Sequence, residues 1–304
     1  MKLIRAILVM SAAALLLSGC ATFNRAKPAP HQAQPIKVEF TSTELSGAWD
    51  LPLGTYRVPD SQVIISGHQK GGAAPALIFG VVGMAVQSAV NKNAGKNATK
   101  DTGAALQITL TSQAQELADV MIAGDPFSRS FSNDAHTAGP TLSISTGVVM
   151  TFVTDTDVLP YVELKAALTE PKATSPKWTT RYIAYAGLPR PLTGDRSWTS
   201  DGGKDLNSTL TVELQRAIRF MLLDVASPYP RDDKKLTMVQ GHFPFVKKRV
   251  ETEGYELSED PQFIAFVPKL GDAMVFSGVN IMEKATTVYR PAQKSDRRLK
   301  MLDD

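Results

Sequence analysis

Cysteine is almost missing from this chain: among 304 residues only Cys20 carries a thiol, which excludes a disulfide framework and a cysteine-rich metal site. Histidine is scarce as well. His31, His68, His136 and His242 are the four present, and none has a second histidine or a carboxylate at the spacing of a zinc-binding helix motif. A surplus of one charge is also lacking. Beyond residue 19 there are 31 basic and 30 acidic residues, a net charge of +1, so nothing electrostatic points to nucleic acid or to strong attraction by anionic lipid. Familiar catalytic signatures do not occur either. There is no G-x-S-x-G elbow. Ser200 to Lys204, SDGGK, has the look of a phosphate loop, but Trp198 and Asp205 stand where such a loop needs a glycine and a hydroxyl. No catalytic residue, metal or cofactor is implied.

What is present begins at the N-terminus. Lys2 and Arg5 precede an apolar run from Ala6 to Leu17, followed by small residues and the cysteine. This is the layout of a secretory signal, too short and wrongly flanked for a stable spanning helix. The ending Leu17-Ser18-Gly19-Cys20 resembles the lipobox of bacterial lipoproteins. The resemblance implies cleavage between Gly19 and Cys20 with acylation of Cys20, and hence a membrane anchor made of lipid. Two acyl chains, at about 0.8 kcal/mol per buried methylene, hold stably where one does not. Ala21 is not the aspartate associated with inner-membrane retention, so the resemblance also implies the outer membrane, facing the periplasm.

Long apolar runs are few, and one stands out. Gly71 to Val86, GGAAPALIFGVVGMAV, has an apolar core of 14 residues from Ala73 to Val86. As a helix that is about 21 Å, short of the ~30 Å hydrocarbon layer. A helix from Pro75 to about Asn93, stopped by Gly95, is expected. Its apolar surface goes almost all round, which suits a buried element. Gly72, Ala76 and Gly80 recur every four residues and permit close helix packing, so self-association and membrane insertion stand as the alternatives.

Ala21 to Pro35, rich in alanine and proline, predicts a flexible tether. Ile36 to Phe40 and Gln62 to Ser66 alternate as half-buried strands, with a loop over Trp49 to Tyr56. Leu106, Ile108 and Leu110 suggest a further strand, ahead of a helix from Ser112 to Ile122. The clearest signal covers Thr141 to Ala184, where three alternating runs predict three antiparallel strands. Asp205, as N-cap, opens a helix whose stripe contains Leu206, Leu210, Leu214, Ala217, Ile218, Met221 and Val225, with Glu213, Arg216 and Arg219 off it. Beyond Pro228 to Asp233, short strands recur between turn residues.

The expected fold is α+β, with an antiparallel or mixed sheet packed by helices and then a small β-rich C-terminal module, a barrel of about five strands. The divisions are a signal over 1–19, the lipidated cysteine and tether over 20–35, an α+β domain over 36–227, the module over 236–291 and a frayed charged tail over 292–304. Asp155-Thr156-Asp157, Asp232-Asp233 and Glu259-Asp260 read as turns rather than acid pairs. Phe243 and Phe245 flank a proline, and an exposed ring there would make a binding surface; core packing is the alternative. The function expected is a non-catalytic, lipid-anchored envelope lipoprotein that binds another envelope component, as an assembly, transport or secretion accessory with an envelope protein as partner, and with self-association open. A lipid-anchored hydrolase of peptidoglycan or another envelope polymer is the alternative.

Overall fold

Strand alternation builds the middle of the sheet. In the computed structural model, which describes residues 26–46, 51–52, 54–67, 85–134, 138–185, 187–270 and 275–302, the meander is antiparallel as the period of two predicts. Its strands are β5 (Thr141–Phe152), β6 (Asp157–Thr169) and β7 (Trp178–Tyr185). Asp155 and Thr156 make its first turn, where Thr154 Oγ1 accepts the N–H groups of Thr156 at 3.2 Å and Asp157 at 2.8 Å. β1 (Ile36–Thr41) and β3 (Val63–Ser66) lie one after the other along the outer edge of β5, both parallel to it. The short strands β2 (Tyr56–Arg57), β4 (Phe131–Ser132) and β8 (Arg190–Pro191) join β3, β1 and β6.

The C-terminal strands are β9 (Leu236–Gly241), β10 (Val250–Glu259), β11 (Phe263–Pro268), β12 (Val279–Glu283), β13 (Val288–Pro291) and β14 (Leu299–Met301). They do not close on one another as a barrel. β12 pairs parallel with β7, from Val279 opposite Tyr182 to Met282 opposite Tyr185. The sheet therefore continues in the order β13-β9-β10-β11-β12-β7-β6-β5-β1-β4. The chain is an α+β protein with one mixed sheet.

Each face of that sheet is apolar, and each is covered differently. On one face lie α2 (Thr111–Ile122) and α3 (Lys204–Ala226), whose Leu206, Leu210, Leu214 and Met221 pack with Leu164, Leu168 and Tyr182. On the other face Val149, Tyr161 and Ile183 share a core with Val239, Phe266 and Met282. Loops cover this second face. Phe243 and Phe245 belong to that cover and are 0% and 3% exposed, so neither forms the expected binding surface. The Phe243 and Phe276 ring centroids are 4.9 Å apart, and the Phe245 N–H donates to Thr151 Oγ1 at 3.0 Å. Burying such a ring contributes about 1.5–3 kcal/mol; where no helix among the described residues packs on this face, the aromatic loop supplies the layer.

Other expectations change for equally local reasons. The segment 27–35 is not a free tether. Ala29 is buried, Trp178 Nε1 donates to the Lys27 carbonyl at 3.1 Å, and the Ile36 N–H donates to Ser130 O at 2.9 Å. Leu106, Ile108 and Leu110 are buried but form no strand. Ser61 Oγ donates to Leu106 O at 2.6 Å and accepts the Ile108 N–H at 3.1 Å, while Gln62 Oε1 accepts the Leu110 N–H at 2.6 Å. Side chains thus satisfy backbone groups that a ladder would otherwise pair.

The helix expected over Pro75 to Asn93 is described only from Ala85, as α1 (Ala85–Ala98). Gly95 does not stop it. A Cβ there would lie 2.8 Å from Tyr56 Cβ, so the glycine lets the helix settle on β2. Gly203, at φ 80°, occupies the N-cap of α3, and Asp205 falls in its first turn, where a negative charge favours the helix dipole. The charged tail is not wholly frayed either: β14 pairs with Val250 to Thr252 of β10. Cys20, Gly19, Gly72, Ala76 and Gly80 lie outside the described residues. Among those described, no helix is long and apolar enough to cross a membrane.

Candidate functional site

A groove of about 730 Å³ runs beside the first half of α3. Ser208, Val212, Glu213 and Arg216 line the helix side, the Gly187 to Arg190 turn closes one end, and Gln262, Phe263 and Lys284 line the far side. At Arg216 and Phe263 it meets a second recess of about 240 Å³ that reaches Arg219 and Tyr229.

The end near Trp198 is built by a relay of contacts. Trp198 Nε1 donates to Val158 O at 2.8 Å, which fixes the indole. The Arg190 guanidinium lies 4.7 Å from the indole centroid and pairs with Asp205 at 3.1 Å. Such a stack orients a guanidinium while leaving its N–H edge available. At the junction of the two recesses the arrangement repeats, with Arg216 3.6 Å from the Phe263 ring centroid. The Phe263 turn is set by Asp260, whose Oδ1 accepts the N–H groups of Gln262 at 2.8 Å and Phe263 at 2.9 Å. Glu283 Oε2 accepts the Gly187 N–H at 2.9 Å and ties the end turn to β12.

Glu213 is the unusual member. It is 2% exposed; Oε1 accepts from Arg216 one turn later, and Oε2 has no hydrogen-bond partner. Burial pushes its carboxyl above the usual carboxylate range; Arg216 pulls it down, and the charge of Glu283 adds a smaller push upward. Glu213 therefore does not lie off the apolar stripe of α3 as expected from the sequence. It follows Leu210 by three residues and precedes Ala217 by four, so it shares their face. That spacing is a readable signal, although a glutamate is ordinarily solvent-facing.

Leu188 and Val212 stand at the mouth, 69% and 49% exposed. On the other side of Leu188 lies a recess of about 330 Å³ with Tyr185, His242, Arg249 and Val288 on its walls. Burial raises the phenol pKa values of Tyr185 and of neighbouring Tyr161, whose rings are 5.0 Å apart. These hydroxyls stay protonated at neutral pH and serve as packing with a polar tip.

A second buried cluster sits three turns further along α3. Asp224 Oδ1 accepts from Arg231 Nη1 at 3.0 Å and from the Tyr229 N–H at 3.2 Å; Oδ2 accepts from Arg231 Nη2 at 3.0 Å and from the Tyr182 hydroxyl at 2.9 Å. All of its acceptor positions are used within the fold. Within the sheet, Arg181 and Glu163 form a wholly buried pair at 3.2 Å, and Arg181 Nε also donates to Ser277 O at 3.2 Å. That pair fastens the 275–278 loop over β7.

The other acidic pairs noted in the sequence are structural. Asp155 receives Lys247 Nζ at 2.6 Å, and Asp233 accepts from the Tyr255 hydroxyl at 2.8 Å and from Lys269 at 2.7 Å. His31 is exposed and His242 half-buried; His68 and His136 lie outside the described residues. Among the described residues no group of three or more histidine, aspartate, glutamate or cysteine side chains could hold a metal ion. No protein-family model matches the chain, and no curated protein is similar to it in sequence.

Proposed function

We propose that this protein is a lipid-anchored lipoprotein of the bacterial envelope, held by an acylated Cys20 at the outer membrane and facing the periplasm, and that it binds another envelope protein without catalysing a reaction. The observation that carries the binding reading is the groove beside α3. Its mouth holds two of the five large apolar side chains that are exposed among the described residues, Leu188 and Val212. Exposed apolar side chains around a concave, polar-floored surface are what a protein interface offers. The anchor rests on Leu17 to Cys20 alone.

Two experiments test the two halves. A Cys20→Ser change is expected to move the chain from the membrane fraction to the soluble periplasm; retention at the membrane would remove the anchor. Chemical crosslinking of the acylated protein in native membranes, followed by its recovery, is expected to bring down one stable envelope partner. A self-crosslinked product alone would instead mark an oligomer.

One observation favours the hydrolase alternative. Glu213 is a buried carboxyl with a raised pKa in a groove that Glu283 also lines, and such a group can act as a general acid. Turnover of a purified envelope polymer by the acylated protein, abolished by Glu213→Gln, with no partner recovered, would replace the binding reading.

A further inference from the structure

We infer that the groove along α3 takes an extended acidic segment of the partner protein. This rests on the binding reading above and names the chemistry of the contact.

Length comes first. From Ser208 to Phe220 the two recesses follow one helix face, and 12 residues at 1.5 Å span about 18 Å. An extended chain rises about 3.3 Å per residue, so five or six residues fill that length. Charge comes second. Arg190, Arg216, Arg219 and Lys284 all line the two recesses. Arg219 is exposed and has no carboxylate partner among the described residues. Arg190 and Arg216 are stacked on rings and each gives Nη1 to a carboxylate of this chain, Asp205 and Glu213 respectively, so it is their remaining N–H groups that meet a planar carboxylate. Of the acidic groups that line the recesses, Glu283 accepts from the Gly187 N–H, Asp260 from those of Gln262 and Phe263, and Glu213 is paired with Arg216, which leaves Arg219 as a cation without a carboxylate partner among the described residues.

Glu213 supplies the independent mark of a ligand. Its Oε2 is buried and has no partner, an arrangement that costs about 1–3 kcal/mol unless something completes it. A carboxyl that burial favours in its neutral form presents an O–H to a backbone carbonyl or a carboxylate. The remaining choice is between peptide and sugar. Sugars stack on open aromatic faces, whereas Trp198 and Phe263 are covered by guanidinium groups. The open apolar side chains, Leu188 and Val212, are aliphatic. In an extended segment successive side chains point to opposite sides, so acidic residues at alternate positions meet the arginines while those between them meet Leu188 and Val212.

The test uses the full acylated protein in detergent micelles and a library of random peptides displayed on phage. Selection is expected to enrich aspartate and glutamate at alternate positions. A synthetic peptide of the selected sequence should lose about tenfold in affinity to Arg216→Gln, more to Arg219→Glu, and should weaken as salt rises. Unchanged thermal unfolding of the Arg219→Glu variant, altered at an exposed position outside the Glu213 pair, separates lost contact from lost fold. Selection without acidic enrichment, or acidic peptides bound equally by both variants, overturns the proposal. So does tighter binding of polygalacturonate than of any selected peptide. A partner crosslinked from membranes whose yield both variants leave unchanged sinks the groove assignment and leaves the binding reading intact; failure to recover any partner sinks the binding reading itself.

Discussion

Helix α3 carries two buried carboxylate–arginine pairs, and they are finished to different degrees. Asp224 meets Arg231 through both of its oxygens and adds the Tyr182 hydroxyl and a backbone N–H. Glu213 meets Arg216 through one oxygen and leaves the other unmatched beside a groove. A completed network rigidifies a fold, and an incomplete one carries a standing cost. The first pair fastens the end of α3 to the sheet and to the linker ahead of β9. The second is the place where the molecule has kept polar capacity in reserve.

The sharpest way to break this contrast is Asp224→Ala. It strands a buried guanidinium and a buried phenol, and should cost about 3–5 kcal/mol in urea unfolding; a loss below about 1 kcal/mol would mean that the network does not fasten the end of α3. Val212→Asp comes next. At an exposed helix position it should change stability by no more than about 0.5 kcal/mol, yet reduce capture of the partner about tenfold through repulsion and lost apolar contact. Equal capture would divorce the groove from binding.

Glu213→Gln sharpens the contrast through pH. The folded pKa of Glu213 lies above its unfolded value, so the ionised side chain destabilises the native state above the folded pKa. That penalty fades as pH falls through the folded pKa and is gone below the unfolded pKa. The glutamine variant should therefore melt a few degrees higher than the parent at pH 7 and at the same temperature near pH 4. A uniform shift at both pH values would assign the effect to packing.

The smallest effect belongs to Asp296→Asn. Asp296 accepts two hydrogen bonds from Arg290, at 2.7 and 2.8 Å, and its pKa falls from 3.8 to about 2. Its contribution is present above the unfolded pKa and lost as pH drops from about 4 to about 2. Because the pair is only half-buried, with the Arg290 side chain open to solvent screening, the variant should show only faster amide exchange in β14 at neutral pH, with little change in melting. A large loss of stability would show that the end of the chain is as tightly fastened as the middle.

The fold was legible where local period and tertiary role agree. The meander from Thr141 to Tyr185 and the helix after Gly203 declared themselves because every second or every third to fourth residue is apolar and is in fact buried. The parallel pairing of β12 with β7 was not legible, since the two strands are separated by all of α3 and β9 to β11 and no local pattern records their register. Leu106, Ile108 and Leu110 show the opposite failure: alternation reported burial correctly, but Ser61 and Gln62 replaced the neighbouring strand. At the site, Glu213 could have been found as a charge set within an apolar stripe. Arg190, Phe263 and Glu283 could not, because only the folded sheet brings three distant segments to one helix.

The bond from Trp178 to Lys27 has a consequence for reach. The chain is fixed to the sheet from Lys27 onward, so with Cys20 acylated only seven peptide steps separate lipid from folded body. Fully extended, these give about 25 Å. On the proposed acylation of Cys20, a body on so short a leash would explore a layer against the bilayer instead of the volume of the periplasm. The proposed partner would then have to present itself within that layer, and the encounter would become a search in two dimensions, where even a modest affinity suffices for lasting occupancy.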